Sequence, residues 1–211
     1  MHVSELWRYP VKSLKGEMLE QAEIAPLGIP GDREIIVRSL SGRLFTSRAK
    51  PKLLGLRGEL GPNGVPTING HPWNSAEALA LVSAAVGEPA RLEQVPQPQG
   101  FDILPLLIAT DGAVRAINID RRRLRPNILI SGVNGLDERN WVGDIIAIGD
   151  VRIRAVKLRE RCVMTTYDPD TQVQDRSVLL RIVREFDGVA ALDCSVIEPG
   201  VIRVGDTVEL I

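Results

Sequence analysis

Gly-Asp pairs recur at 143–144, 149–150 and 205–206, and the chain beside them runs in short Val- and Ile-rich stretches near 145–148, 151–158 and 207–210. Glycine tolerates the positive φ of tight turns, and aspartate bonds its own backbone, so each pair ends one strand and begins another. From Trp141 onward this punctuation reads as a barrel-like β unit. One helix interrupts it. Asp175 caps that helix, Val178, Leu179, Ile182, Val183 and Phe186 form one apolar face, and Gly188 stops it, so the stripe reads as core. Residues 194–197 and Pro199-Gly200 then lead into the last strand.

The first half carries the same signals less regularly. Val3–Tyr9 reads as a strand, and Pro10–Gly16, with two lysines and a serine, reads as a solvated hairpin tip. A strand over 18–26 is closed by Pro26 and Gly28, and Gly31-Asp32-Arg33 makes a turn bearing a cation. Strands follow at Glu34–Arg38, Arg43–Ser47 and, weakly, 53–60. Asn74 and Glu77 form a capping-box pattern for a helix over 75–86, which Gly87 terminates. The Pro/Gln-rich stretch 96–100 reads as a linker, and Asp111 as the cap of a second helix reaching Asn118. The expected fold is mainly β (α+β), with two β-rich lobes over 1–95 and 101–211 and a few peripheral helices.

Composition narrows the function. A chain of 211 residues, 44% hydrophobic and 25% charged, buries a real core. A net charge of −1 and 4% aromatic residues offer neither a general polyanion surface nor a base-stacking platform. Arg121, Arg122, Arg123 and Arg125 suggest nucleic acid, but the run is short and a core strand, Ile128–Ile130, follows it at once. Some of these arginines read as solvated or paired with acids such as Asp120. Two cysteines 32 positions apart do not make a disulfide scaffold, and two histidines leave little for a His-based triad or zinc site. With no apolar run near the roughly 20 residues that span a bilayer and no signal or transit pattern, the chain reads as cytoplasmic, without a membrane or nucleic-acid partner.

Residues 161–171 carry the chemistry. Cys162 lies among polar and turn-forming residues, with Arg161 as neighbour, and a fixed cation favours the thiolate that attacks or binds metal. Thr165 and Thr166 add hydroxyls, and Asp168-Pro169-Asp170 ends the segment in a turn, so the pattern is a strand delivering one thiolate to a loop. One thiolate cannot hold a bare metal, but it can ligate a metal carried by an organic cofactor. Cys194, in a barrel strand, reads as core. Alternation about Pro126 directs Arg125 and Asn127 the same way, a pair suited to a phosphate or a heterocycle edge.

Tyr9–Gly16, Gly31–Arg33, Arg125–Ile128, Arg161–Thr166 with Asp168–Thr171, and Pro199–Asp206, in that order, resemble the MOSC domain proteins, named for the molybdenum cofactor sulfurase C-terminal region. The branch most similar is the amidoxime-reducing components and their bacterial relatives, and the resemblance covers essentially the whole chain. It implies an N-terminal β-barrel-like lobe, a MOSC β-barrel lobe and a molybdenum cofactor (Mo-molybdopterin) between them. Cys162 would ligate molybdenum. Lys12, Ser13, Arg33 and Arg125 would hold the phosphate and neighbouring polar edge, with Asn127 and Arg161 completing the pocket. Gln172 stands where relatives usually have glycine, and Glu160 where a small or neutral residue is expected.

Two functions follow from that resemblance. The first is a monomeric oxidoreductase that reduces N-hydroxylated compounds, such as amidoximes and hydroxylamines, with electrons from a separate flavin or iron–sulfur protein. The second is a sulfur carrier holding a persulfide on Cys162. The phosphate-binding set at Lys12, Ser13, Arg33, Arg125 and Asn127 favours the first, since a bare carrier has no use for it.

Overall fold

A computed structural model describes all 211 residues. The first half contains β1 (His2–Arg8), β2 (Glu17–Leu19), β3 (Gln21–Ile24), β4 (Ile35–Ser39), β5 (Leu44–Phe45), β6 (Gly58–Leu60), β7 (Pro66–Ile68) and β8 (His71–Pro72). Helix α1 (Ala76–Val86) and β9 (Ala90–Gln94) complete it. The second half runs β10 (Leu106–Thr110), α2 (Asp111–Ile117), β11 (Ile128–Ser131), β12 (Ile145–Ile148) and β13 (Val151–Glu160). Then come α3 (Arg176–Glu185), β14 (Val189–Glu198), β15 (Gly200–Arg203) and β16 (Val208–Leu210). Strand dominates and three α-helices lie beside the sheets, the α+β class that the turn punctuation predicts.

One sheet has the order β16-β12-β13-β14-β10-β11-β1-β2, antiparallel except for β10 beside β11. It closes on itself. The Val3 N–H donates to the Asp206 carbonyl at 2.9 Å and the Val208 N–H to that of Met1 at 3.0 Å, so the start of β1 also bonds the chain entering β16. Alternation sends Val151, Ile153 and Ala155 of β13 inward, where they join Val3, Leu6, Ile108, Ile146 and Cys194 in a twenty-residue core. Each such aliphatic chain contributes about 1.5–3 kcal/mol by leaving water. The ribbon β3–β15 adds Ala22, Ile24 and Ile202 to that core.

A second core of eleven residues draws only on residues 11–90. It lies among the sheets β5-β4-β9 and β6-β7-β8, with Ala78, Val82 and Val86 of α1 packed into it. The segment after β1 stitches these sheets together, since Val11 bridges Ile35 and Lys15 bridges Arg57. A third cluster seats Val178, Ile182 and Phe186 of α3 against Leu107, Ala109 and Leu129.

Several local readings shift. Ser75 caps α1, accepting from the Ala78 N–H, and Thr110 caps α2, accepting from the Ala113 N–H. Asp111 instead accepts from the N–H groups of Gly132 and Val133. The expected strand over 18–26 is two strands in different sheets, because β2 pairs with β1 and β3 with β15. Residues 51–55 form a 3-10 turn that Pro51 opens, and only 58–60 are strand. Val183 faces solvent, since the buried face of α3 is the narrower stripe 178–182–186. No helix is long and apolar enough to cross a membrane.

Candidate functional site

A cleft of about 360 Å³ lies where the two cores meet. The first half contributes Lys12, Ser13, Arg33 and Arg48, the connecting segment Phe101–Leu104, and the second half Arg125, Asn127 and Arg159–Cys162. All seven expected residues, Lys12, Ser13, Arg33, Arg125, Asn127, Arg161 and Cys162, line this one cleft.

The backbone explains the convergence. Leaving β1, the chain turns tightly, with the Leu14 N–H donating to the Val11 carbonyl at 3.3 Å and Ser13 at φ 74°. Arg33 (φ 55°) and Arg125 (φ 58°) also take the left-handed region. Side chains there cost roughly 1–2 kcal/mol each, a strain kept where the side chain itself is needed. Glycine would relieve it and leave the cleft without its hydroxyl and two guanidinium groups.

Asp32 ties these turns together. Fully buried, it accepts from the Tyr9 N–H at 2.7 Å through Oδ1, and through Oδ2 from Arg33 and from Asn127 Nδ2 at 3.2 Å. Asn127 Oδ1 in turn accepts from the Leu107 N–H at 3.1 Å and from Arg33 Nη1 at 3.4 Å. The amide of Asn127 is thus committed to holding β1, β10 and the Arg33 turn in register. Arg125 and Asn127 reach the same cleft through the left-handed turn at Arg125, not through strand alternation. The Tyr9 ring carries the Arg125 guanidinium 4.2 Å and that of Arg33 4.9 Å from its centroid, and burial raises its hydroxyl to about 12.

Lys12 is buried, unlike a hairpin tip, with Nζ donating to the Gly100 carbonyl at 2.7 Å and to Asp102 at 2.6 Å. Burial lowers the pKa of Lys12, and Asp102 opposes that shift. Burial pushes Asp102 up, but Lys12, with Arg48 and Arg33 behind it, outweighs this and holds the carboxyl below the usual range. A Cβ on Gly100 would lie 1.7 Å from the Arg33 carbonyl oxygen, so only glycine brings the connecting segment this close.

On the far wall β13 ends and Cys162 opens a 3-10 turn over Val163–Thr166. Thr165 fixes the Cys162 backbone, donating to its carbonyl from N–H at 3.0 Å and Oγ1 at 2.9 Å. Asp168 draws in the following loop by accepting from the N–H groups of Asp170 and Thr171 at 3.0 and 2.9 Å. Cys162 is half-buried, whereas Cys194 lies wholly in the barrel core, where burial drives its thiol upward. Arg161 donates through Nη2 to the Leu124 carbonyl at 2.9 Å. Arg159 pairs with buried Asp193 at 2.5 Å.

Six cations line the cleft against two carboxylates, Asp102 and Glu160. Arg125 Nη2 and Arg161 Nε are buried without a hydrogen-bond partner, and burial pulls both guanidinium groups down to about 10. Unpartnered buried donors are costly, and an anionic ligand with several acceptors relieves both. The donor set therefore fits a phosphate-bearing group, and Cys162 would give a metal carried by it one soft ligand. No cluster of three or more His, Cys, Asp or Glu side chains forms an independent metal site. Arg48 and Asp102 were not foreseen, because each reaches the cleft across a long sequence separation that no local pattern records; Arg159, two residues before Arg161, was within reach of a local reading and was missed.

A two-lobed α+β protein with a closed barrel and a cationic interlobe cleft around one thiol is the class these features define. The chain belongs to the MOSC domain family: the MOSC domain profile matches residues 106–209 and the MOSC N-terminal beta barrel domain profile residues 1–86. It is 28% identical to mitochondrial amidoxime-reducing component 1 of Homo sapiens, over 99% of this chain and 82% of that protein. It is 27% identical to mitochondrial amidoxime reducing component 2 of Homo sapiens, over 87% of this chain and 72% of that one. The crystal structure of the YUAD protein from Bacillus subtilis shares the fold, with a TM-score of 0.55 at 15% identity, covering 99% of this chain and 94% of that one.

Proposed function

We propose that the protein is a molybdenum-dependent oxidoreductase that reduces N-hydroxylated compounds, amidoximes and hydroxylamines among them. Separate flavin or iron–sulfur proteins supply its electrons. The observation that carries this reading is the pair of buried, unpartnered guanidinium atoms on Arg125 and Arg161 in the same cleft as the half-buried thiol of Cys162. The names of the relatives, amidoxime-reducing components, support the choice of reaction.

In this reading Cys162 ligates molybdenum as a permanent thiolate. Arg125, Arg161, Lys12, Ser13 and Arg33 hold the phosphate and polar edge of the pterin, and Asn127 keeps Arg33 and β10 in place. A bound molybdenum cofactor supplies two electrons for reduction of an N–O bond. The overall change consumes two electrons and two protons, breaks the N–O bond and releases the amine or amidine and water. Lys12 and Arg48 already hold one carboxylate, Asp102, so an entering phosphate exchanges with a resident counter-ion. The protein acts as a cytoplasmic monomer in this proposal.

The test is the molybdenum and pterin content of protein made in a cofactor-competent host, wild type beside Cys162→Ala, with benzamidoxime reduction under a chemical reductant. Near-stoichiometric metal and pterin in the wild type, with loss of reduction in the variant, are expected. Well-folded wild type lacking both, with a persulfide on Cys162, would replace this reading with the sulfur carrier.

A further inference from the structure

A second cavity, of about 390 Å³, adjoins the cationic cleft and shares Arg125 and Met164 with it. Trp7, Tyr9, Met18, Leu54, Met164 and Tyr167 give it its character. The Trp7 and Tyr9 rings stack at 14° with centroids 6.3 Å apart. Met164 stands in the 3-10 turn that Cys162 opens, so the two spaces meet one turn from the thiol. Gly16 lets the Tyr9 ring lie against the wall of this cavity, since a Cβ there would sit 2.5 Å from the ring and 2.3 Å from the Arg8 carbonyl oxygen.

The two spaces differ in how far their cations are already paired. Four more cations border the second cavity, and each is committed to carboxylates. Lys15 pairs with Asp170 at 3.3 Å, Arg57 with Glu59 at 2.9 Å and Arg123 with Asp168 at 3.2 Å. Arg122 divides itself between Asp120 at 2.6 Å and Asp170 at 2.7 Å. What faces the space is therefore π surface, two thioethers and an aliphatic chain. An uncharged planar ring gains apolar burial and ring contacts in such a cavity, whereas a charged ring gives up hydration and meets only one cation without a carboxylate, Arg125, which is shared with the cationic cleft.

We propose that this cavity binds the uncharged aromatic or heteroaromatic body of the substrate, with Met164 as the flexible partition between that ring and the group reacting beside Cys162. That its occupant is a substrate rests on the reductase reading. That it selects neutral planar rings does not.

2-Naphthamide, 2-naphthamidinium and 2-naphthoate carry one ring system with three charges. Their affinities for the protein as purified are measured by ligand-observed NMR titration, with inorganic phosphate as competitor for the cationic cleft. The neutral amide is expected to bind about tenfold more tightly than either ion, the size of effect that unmatched charge burial gives, and to resist displacement by phosphate. Met18→Glu, at a side chain 58% exposed on β2, and Tyr167→Ala should each weaken the amide several-fold and leave phosphate binding unchanged. Naphthoate binding as tightly as the amide, displacement of the amide by phosphate, or amide binding untouched by both variants overturns the assignment. Protein from a cofactor-competent host that lacks molybdenum and pterin yet still prefers the amide would sink the reductase reading and support the cavity.

Discussion

Three of the eight non-glycine residues with left-handed backbone line this one cleft. Ser13, Arg33 and Arg125 pay for that conformation inside the cleft, and Gln172 (φ 58°) does so in the loop beyond Cys162. The resemblance led to the expectation of glycine where Gln172 stands, and Gln172 takes the left-handed turn that glycine makes freely. Gln172 offsets part of its strain by donating from Nε2 to the Asp170 carbonyl at 2.6 Å. Replacing it with glycine removes about 1–2 kcal/mol of strain and costs about 0.5–1 kcal/mol in unfolded-chain entropy, besides that hydrogen bond. Gln172→Gly is therefore expected to be neutral or to stabilise by about 0.5 kcal/mol, read as a shift in urea midpoint at unchanged slope. A loss above about 1 kcal/mol would mean that the side-chain bond outweighs the backbone strain. The turn at Arg125 escaped a reading by alternation for the same physical reason, since period-2 reasoning holds only while φ stays extended.

Elements were legible where local chemistry decides them. Gly-Asp punctuation found the strands around Ile145–Ile148 and Val151–Glu160, and Asp175 and Gly87 sit at helix ends as expected. The caps at Ser75 and Thr110 were missed by one residue, because adjacent Asn74 and Asp111 carry equally good acceptors. The loop after β13 combines both outcomes. Its Asp168 turn was readable, but the clamp across it, Lys15 and Arg122 on Asp170, joins distant segments. The hydrogen bonds from Arg122 lead in lowering Asp170 to about 2, below the roughly 3.9 of an unfolded aspartate. A depressed folded value means the clamp holds at every pH above about 4 and is lost as pH falls from about 4 to about 2. Asp170 is more than half exposed, so solvent screens the pairs and the global effect is small. Local amide exchange at Thr171 and Gln172 is the sensitive reading. Protection relative to the intrinsic exchange rate should fall in wild type over that window, and Asp170→Asn should already show lower protection at pH 5 with a flatter pH dependence. Identical profiles would show that the clamp does not order the Cys162 loop.

At the scale of the molecule, sequence order and spatial order part company. The family profiles meet between residues 86 and 106, near the expected linker at 96–100, yet the barrel of the second half is closed by the first strand of the chain. β1 bonds β11 along one edge and residues 205–208 along the other, and β3 lies on β15. Five residues of the twenty-residue core, Val3, Leu6, Ala22, Ile24 and Ile29, precede the linker. At about 1.5–3 kcal/mol for each buried aliphatic side chain, removing them takes away as much as a domain's usual net stability of about 5–15 kcal/mol. It also opens two strand edges that invite association. A fragment of residues 101–211 is therefore expected to aggregate or to lack dispersed amide resonances. A fragment of 101–211 with residues 1–29 supplied through a flexible linker should recover them, because it restores both β1 ladders and the β3–β15 ribbon. If 101–211 alone unfolded cooperatively with the slope expected for its size, the first strand would be an accessory to the barrel rather than part of its closure. The cleft would then have to be assembled by docking two finished domains. With β1 structural in both directions, the residues that follow it, Lys12 and Ser13, are instead brought to the cleft that Cys162 lines by the same pairing that folds the barrel.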